Sequence, residues 1–319
     1  MDVASPVAAL ASSLKKTLEF FDRVKKPIVM KPVSGSGSEL LFRCESETGI
    51  VNAVRVMMEE LHRRRSNPLF RLLPGTSARR GIDPTKTWVV EEYVPGPEFS
   101  CDFIMQTDTI AIVRETGKEK SPNQTFGSVL AYTFPPKYPE GFCRETLPDT
   151  LKKAAKALGF MWGYFMVDFI IQNGRPVIIE MTPRPGGDSI PDLIETATGV
   201  DLIRIYLDVI SGNQGTPKRV NMPRDVFASI NFYAPREGII KTIDPSGILA
   251  LPWVKGVVLK KGVGDAIRLP PHDYDNRFLG YGIVSVEKTW TPVAISDYLQ
   301  KLLRIAFMDH LPGMRKEAA

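Results

Sequence analysis

The sequence predicts an α+β protein with antiparallel strands, and three observations carry that expectation. Strand-like runs follow one another with only short breaks, as in "TWVVEEYV", "EFSCDFIMQ" and "TIAIVRE" across residues 87–115. An Asn-Gly pair at 173–174 separates two apolar runs, which is the pattern of a hairpin. Beyond a polar break at "SGNQGTPKR" lie further short strands with glycine turns, and then a closing helix. The 319 residues suggest about two domains. A hydrophobic fraction of 43% and a charged fraction of 24% are ordinary for a globular protein with a real core. The net charge of +5 is spread among interspersed acids and bases, so it hints at anionic ligands without forming a nucleic-acid footprint. The basic run "HRRRS" follows a helical pattern and reads as a solvated face. Cys44, Cys101 and Cys143 are far apart, offer neither a disulfide framework nor zinc spacing, and fit a reducing cytoplasm. No apolar run approaches the ~20 residues of a membrane span, and the N-terminus lacks the order of a signal peptide.

The elements follow in chain order. Leu10, Leu14, Leu18 and Phe21 recur at helical spacing, so residues 8–25 read as one amphipathic helix. "KPIVMKPV" reads as a strand, "SGSGSE" as its break, and "LLFRCES" as a second strand. Ile50, Val54, Met57, Met58 and Leu61 give a helix over 47–64. Residues 66–86 and 116–128 read as mobile loops, rich in Pro, Gly, Ser and polar residues. Between them run the three strands named above, joined by "PGP" and by a turn at Thr107-Asp108. Leu151, Ala154, Ala155 and Leu158 share one helical face, with Gly159 as the stop. The hairpin "MVDFII-QNGR-PVIIEM" follows, then a helical signal from Ser189 toward Gly212. The closing helix spans about Pro292 to Phe307.

The hairpin carries the first chemical signal. Asp168 lies on the face of Met166 and Ile170, and Glu180 on that of Ile178 and Thr182. Val167, Phe169, Ile171, Val177, Ile179 and Met181 then make apolar faces for helices. A three-residue turn centred on Gly174 would set Asp168 opposite Glu180, whereas a two-residue turn would separate them. Two carboxylates side by side on a half-buried face repel each other and need an offset. Mg²⁺ supplies one, with substrate phosphates completing its shell. Pairing of each acid with a Lys or Arg supplies another.

Two further segments add to it. Small residues from Ser34 to Ser38 let backbone N–H groups approach phosphate oxygens, and Lys31 brings a charge to the same place. The spacing matches neither a Walker A loop nor a dinucleotide fingerprint, and such a turn alone is usually a plain hairpin. "VVEEYVPGPEFSCD" ends a strand at a Pro-Gly-Pro break, leaving backbone groups that could meet an adenine edge or form a blunted sheet edge. Glu98, Ser100 and Asp102 share one face of the next strand; Phe99, Cys101 and Phe103 share the other.

In this order and spacing, "VMKPVSGSGSE", "VVEEYVPGPEFSCD" and "GYFMVDFIIQNGRPVIIEMTPRPGGDS" resemble the ATP-grasp superfamily over about residues 20–212. Within it the chain is most similar to carboxylate–amine ligases of the L-amino-acid ligase group. The resemblance implies an ATP-grasp domain over 1–215, with two α+β lobes and antiparallel sheets, and a small β-rich cap over 216–319. It implies that Lys31 and the loop of Ser34, Gly35, Ser36, Gly37 and Ser38 hold ATP phosphates. Glu91 would reach the adenine amino group; the Glu92–Tyr93–Val94 stretch would read the adenine edge, and Glu98 the ribose. Asp168 and Glu180 would bind Mg²⁺, with Thr182 where the family usually has asparagine. Arg184 would hold the acyl phosphate or substrate carboxylate, beside Gly186 and Gly187. Arg114 and Lys118 would lie near the γ-phosphate.

The implied activity is ATP- and Mg²⁺-dependent amide formation from a carboxylate and an amine, with amino acids as the expected substrates and the cytoplasm as the setting. Nucleic acid and membrane are not expected partners; a homodimer is compatible. Family members carry an N-terminal domain with a second phosphate-binding lysine, whereas 30 residues precede Lys31 here. The alternative expectation is therefore an ATP-binding subunit, or a degenerate family member, whose missing part another polypeptide supplies. Lys15, Lys16, Lys25 and Lys26 read as solvated rather than as substitutes.

Overall fold

Two serines start the helices of the first lobe. The Ser13 side chain accepts from the Lys16 N–H, and the Ser46 side chain from the Gly49 N–H, so each satisfies a donor that the helix itself cannot. The computed structural model describes residues 3–35, 37–75, 81–120, 126–212, 222–287 and 289–308. Its first lobe contains β1 (Ala8–Ala11), α1 (Leu14–Val24), β2 (Ile28–Pro32), β3 (Phe42–Cys44), α2 (Glu47–Arg63) and β4 (Trp88–Glu92). The strands form an antiparallel sheet in the order β1-β4-β2-β3. Phe20, Ile50, Val54, Met57 and Leu61 of the helices pack on Ile28, Met30, Trp88 and Val90 of that sheet.

The expected helix over 8–25 is corrected here. Residues 8–11 pair with β4, and the Ser13 cap begins the helix only after them. The second expected strand is shorter than "LLFRCES": Leu40 has a positive φ of 52° and belongs to a turn. The stretch 66–86 contains short 3-10 turns and an antiparallel bridge between Leu73 and Ile82, with 76–80 outside the described residues.

The central part comprises β5 (Glu98–Gln106), β6 (Thr109–Lys120), β7 (Val129–Phe134), α3 (Leu147–Ala157), β8 (Trp162–Gln172), β9 (Arg175–Thr182), α4 (Ile190–Thr198) and α5 (Leu202–Ile210). Then follow β10 (Val226–Tyr233), β11 (Gly238–Asp244), α6 (Ser246–Leu249), β12 (Val254–Leu259), β13 (Ala266–Ile267), β14 (Phe278–Val286), α7 (Pro292–Leu302) and β15 (Arg304–Met308). One antiparallel sheet of eight strands, β12-β14-β10-β7-β6-β5-β8-β9, runs through both groups. The strands after residue 222 therefore extend the central sheet, through pairs such as Ser229 with Tyr132, and a three-stranded sheet β13-β11-β15 lies beside them. The polar break at 213–221 lies outside the described residues.

Three further expectations change. The segment 116–128 is not one loop: β6 continues to Lys120, because Glu115 and Thr116 are buried and paired across to β5. Residues 121–125 lie outside the described residues, and β7, which the sequence did not announce, starts at Val129. The helical signal from Ser189 to Gly212 is two helices, separated where Gly199 takes a left-handed φ of 75°. The closing helix ends at Leu302, and Arg304–Met308 becomes a strand paired with β11.

The hairpin of β8 and β9 reaches the expected pairing by another route. Its turn has two residues, Asn173 and Gly174, both with positive φ (52° and 71°), between the paired Gln172 and Arg175. That turn alone would put the acids on opposite faces. A bulge in β9 reverses the outcome: Phe169 pairs with Ile178, but Asp168 pairs with Glu180, so Ile179 is the extra residue. Ile178 consequently packs with Phe169 and Ile171 under α3, while Val177 and Ile179 join Val94 and Ile170 on the opposite face. Both assignments reverse the strict alternation expected of β9.

Gly174→Ala is expected to lower the unfolding free energy by at least ~1 kcal/mol, and the urea midpoint with it, because a side chain in the left-handed region is strained. The added Cβ would also sit 2.6 Å from the Gly141 carbonyl oxygen. A urea titration followed by circular dichroism checks it; an unchanged midpoint would contradict this account of the turn.

Candidate functional site

A cleft of about 610 Å³ opens between the first lobe and the central sheet. Its walls contain Lys31, Ser34, Gly35, Gly37 and Ser38 from the first lobe, Glu91 to Val94 from the crossing segment, and Glu98, Lys118, Asp168, Glu180, Thr182 and Arg184 from the central sheet. These are the residues singled out in the sequence, with four exceptions. Arg114, Gly186 and Gly187 do not line the cleft, and Ser36 lies outside the described residues.

At one end the cleft is apolar. Val94, Ile170, Val177 and Ile179 pack together where strand β4 hands over to β5. The Val94 N–H has no hydrogen-bond partner among the described residues. The Glu92 N–H is committed to the Val7 carbonyl and that of Tyr93 to the Pro27 carbonyl, so neither can read a base. The Glu91 carboxylate pairs with Lys31 at 2.8 Å, and that of Glu92 with Lys26 at 3.0 Å. Lys26 is thus in an ion pair at the rim, although half of its side chain or more stays exposed.

The middle of the cleft is a chain of charges. Lys118 lies 2.7 Å from Glu98 and 2.6 Å from Asp168, and Lys120 also contacts Glu98. Burial alone would lower the pKa of Lys118, but Asp168 and Glu98 outweigh it and raise the ammonium well above its usual value. Burial alone would raise Glu98; Lys118 and Lys120 bring it down to about 2. Asp168 and Glu180 stand opposite each other in register. Glu180 makes no ion pair among the described residues, and protein crowding around its carboxyl together with the Asp168 charge raises its pKa, against Lys118, Lys31 and Arg184. It remains open to water, so the shift is screened. Of the two offsets expected for the acids, pairing with a lysine is met at Asp168, while Glu180 is left unpaired among the described residues.

The donor set fits Mg²⁺. Six carboxylates (Glu39, Glu91, Glu92, Glu98, Asp168, Glu180) line the cleft against four cations (Lys31, Lys118, Lys120, Arg184). Thr182 Oγ1, on the same wall, is buried without a hydrogen-bond partner among the described residues. Among the described residues no group of three or more His, Cys, Asp or Glu side chains forms a cage.

The turn from Ser34 to Ser38 is held from two sides. Ser38 Oγ donates to the Gly127 carbonyl at 2.9 Å, and Gly37, with φ 64°, leaves no space for a Cβ against Asp275. Arg184 makes no ion pair among the described residues; its Nη1 donates to the Pro185 carbonyl at 2.8 Å. Arg114 is corrected: 1% exposed, it pairs with Asp102 at 2.5 Å beneath the sheet surface and donates to Thr116. Gly186 is corrected too, since its N–H donates to Asp102 and cannot serve a ligand.

Lys120, Phe126, Gly127, Ile170 and Ile179 line the cleft without having been singled out. Period-2 extension of β6 past Lys118 would have found Lys120. The bulge that turns Ile179 inward, and the fold that brings in Phe126, leave no local mark in the sequence.

Because Glu98 is depressed from 4.5 to about 2, its ionised form contributes stability above pH 4.5, and that contribution is lost as the pH falls toward 2. Glu98→Gln is expected to melt below the parent at pH 7, with the gap narrowing at pH 3. Melting curves at both values check it; a gap independent of pH would contradict the Lys118–Glu98–Lys120 linkage.

No described helix is long and apolar enough to cross a membrane. The ATP-grasp domain family matches residues 24–192. The chain is 30% identical over 261 residues to the uncharacterized protein y4rH of Sinorhizobium fredii, covering 80% of this chain and 48% of that one. It thus spans about half the length of this curated relative. Among solved structures it is similar to the L-amino acid ligase from Bacillus licheniformis, with a TM-score of 0.69, 19% identity, and coverage of 96% of this chain and 69% of that chain. It also resembles the phosphoribosylglycinamide synthetase from Anaerococcus prevotii (TM-score 0.56, 18% identity, 96% and 70%). A third is the biotin carboxylase domain of the Hydrogenobacter thermophilus 2-oxoglutarate carboxylase, solved with MgADP, ADP and bicarbonate (TM-score 0.60, 16% identity, 96% and 63%). At these identities the likeness is one of fold, and together with the family match over more than half of the chain it leads to one statement: this protein belongs to the ATP-grasp family.

Proposed function

We propose that the chain is an ATP- and Mg²⁺-dependent ligase that joins a carboxylate to an amine, with amino acids as substrates in the cytoplasm. The observation that carries this reading is the convergence of Lys31, the Ser34–Ser38 turn, Asp168, Glu180 and Arg184 on one cleft with an apolar end. Support comes from the family and from neighbours that include an L-amino acid ligase, a phosphoribosylglycinamide synthetase and a biotin carboxylase domain, the last solved with MgADP.

In this reading a base stacks against Val94, Ile170 and Ile179 and accepts from the Val94 N–H. Lys31 and the small-residue turn hold the phosphates. Arg184 holds the substrate carboxylate, one oxygen of which attacks the γ-phosphorus while ADP leaves. The amine then attacks the acyl carbon of this mixed anhydride, phosphate leaves, and the amine loses a proton. Mg²⁺ held by Asp168, Glu180 and the phosphates would neutralise charge on the transferring group. No protein nucleophile is needed; catalysis rests on positioning and charge.

The test combines melting curves with product analysis. Mg-ATP is expected to raise the melting temperature of the parent, and mass spectrometry after incubation with an amino-acid mixture is expected to show amide products with ADP and phosphate. Glu180→Gln should keep the unliganded melting temperature, lose the Mg-ATP shift, and reduce turnover by about 10²-fold or more. Arg184→Ala should keep nucleotide affinity and lose coupling to the carboxylate. An unliganded Glu180→Gln that melts markedly lower, with no Mg-ATP shift in the parent, would refute the site. Mg-ATP binding without turnover would favour the alternative of a nucleotide-binding subunit that needs a partner.

A further inference from the structure

Beneath the turn that carries Arg184 lies a polar cluster sealed from water. Asp102 is 0% and Arg114 1% exposed. The Asp102 carboxylate accepts from Arg114 Nη2 at 2.5 Å, from the Tyr164 hydroxyl at 2.9 Å, and from the Gly186 N–H at 3.2 and 3.1 Å to its two oxygens. Gly186 is drawn so close that a Cβ there would overlap Arg114 Nη2. The far side of the same turn is also pinned, because the Tyr132 hydroxyl donates to Asp188 at 2.7 Å, and Asp188 has a left-handed φ of 56°.

A buried ion pair is a weak way to stabilise a fold, since apolar residues of the same size avoid its desolvation cost. Here Arg114 Nε is also left without a partner among the described residues, which a purely stabilising arrangement would avoid. What the pair does achieve is direction. A carboxylate held by two side chains is a fixed acceptor, and its third partner is the backbone of the turn two residues after Arg184. We propose that Asp102, oriented by Arg114, is a positioning residue that clamps the Arg184–Asp188 turn so that the Arg184 side chain lies along the cleft. The inference rests on the role given above to Arg184, but the clamp itself can be measured without it.

Asp102→Asn removes the charge and keeps the shape. Gly186→Ala keeps both charged side chains but sets a Cβ against Arg114 Nη2, so that the turn can no longer seat on the pair, and it guards against a first variant that fails to fold. Three readouts are compared: hydrogen–deuterium exchange of the peptide spanning 183–189, affinity for Mg-ADP, and ATP turnover with an amino-acid mixture. Both variants are expected to exchange faster at the turn, to keep Mg-ADP affinity because the base and phosphates are held elsewhere, and to lose turnover by about 10²-fold, the scale of an ångström-sized misplacement. Folded variants with unchanged exchange at the turn would overturn the proposal. So would Mg-ADP affinity and turnover that fall together, as a general loss of structure requires. A parent that fails to bind Mg-ADP would refute the functional reading while the exchange comparison still decides the clamp.

Discussion

One extra residue in β9 governs the chemistry of the cleft. The Asn173-Gly174 turn closes the hairpin in a register that would send Glu180 into the core beneath α3. Ile179 bulges, the alternation resets, and Glu180 arrives opposite Asp168. The bulge also leaves two consecutive side chains, Ile179 and Glu180, on the cleft wall. One adds to the apolar end of the cleft and the other places a carboxylate beside Asp168. Bulges at the rims of sheets commonly re-aim a side chain in this way.

Charge balance around that pair constrains the middle of the cleft. Lys118 touches both Glu98 and Asp168, so each acid is offset before any ligand arrives. Glu180 is left with the like charge of Asp168 and only longer-range help from Lys118, Lys31 and Arg184. The hydroxyl of Thr182, buried and without a hydrogen-bond partner among the described residues, lies on the same wall. A hydroxyl there is a weaker oxygen donor than an amide, which makes the carboxylates the principal holders of any metal.

The central sheet unites parts that look separate along the chain. Because β10 pairs with β7, the segment beyond residue 222 continues the floor on which Lys118 and Asp168 stand. The same segment reaches back to the first lobe, where Tyr274 enters its core and Asp275 meets Gly37. At the other edge, the Ala4 carbonyl accepts from the Ile178 N–H before the chain enters β1, so the N-terminal segment also ties the lobes together.

Local patterning in the sequence by itself determined much of this. Alternating apolar residues defined both faces of β5, helical periods located α2 and α3, and the Asn-Gly pair located the hairpin; each is a short-range signal. Most cleft residues were legible for the same reason, since they sit on strands and turns whose ends are marked by Gly, Pro and Ser. Tertiary structure alone decided three things. It turned residues 8–11 into a strand, because β4 offered an edge to pair with. It carried β6 through the polar stretch to Lys120, because β5 and β7 satisfied its backbone. It buried Arg114 against Asp102, away from the cleft, because a β-bulge in the β5–β6 pairing and the approach of Gly186 fix where that face closes. Each depends on a partner distant along the chain, and no local pattern encodes where such a partner will stand.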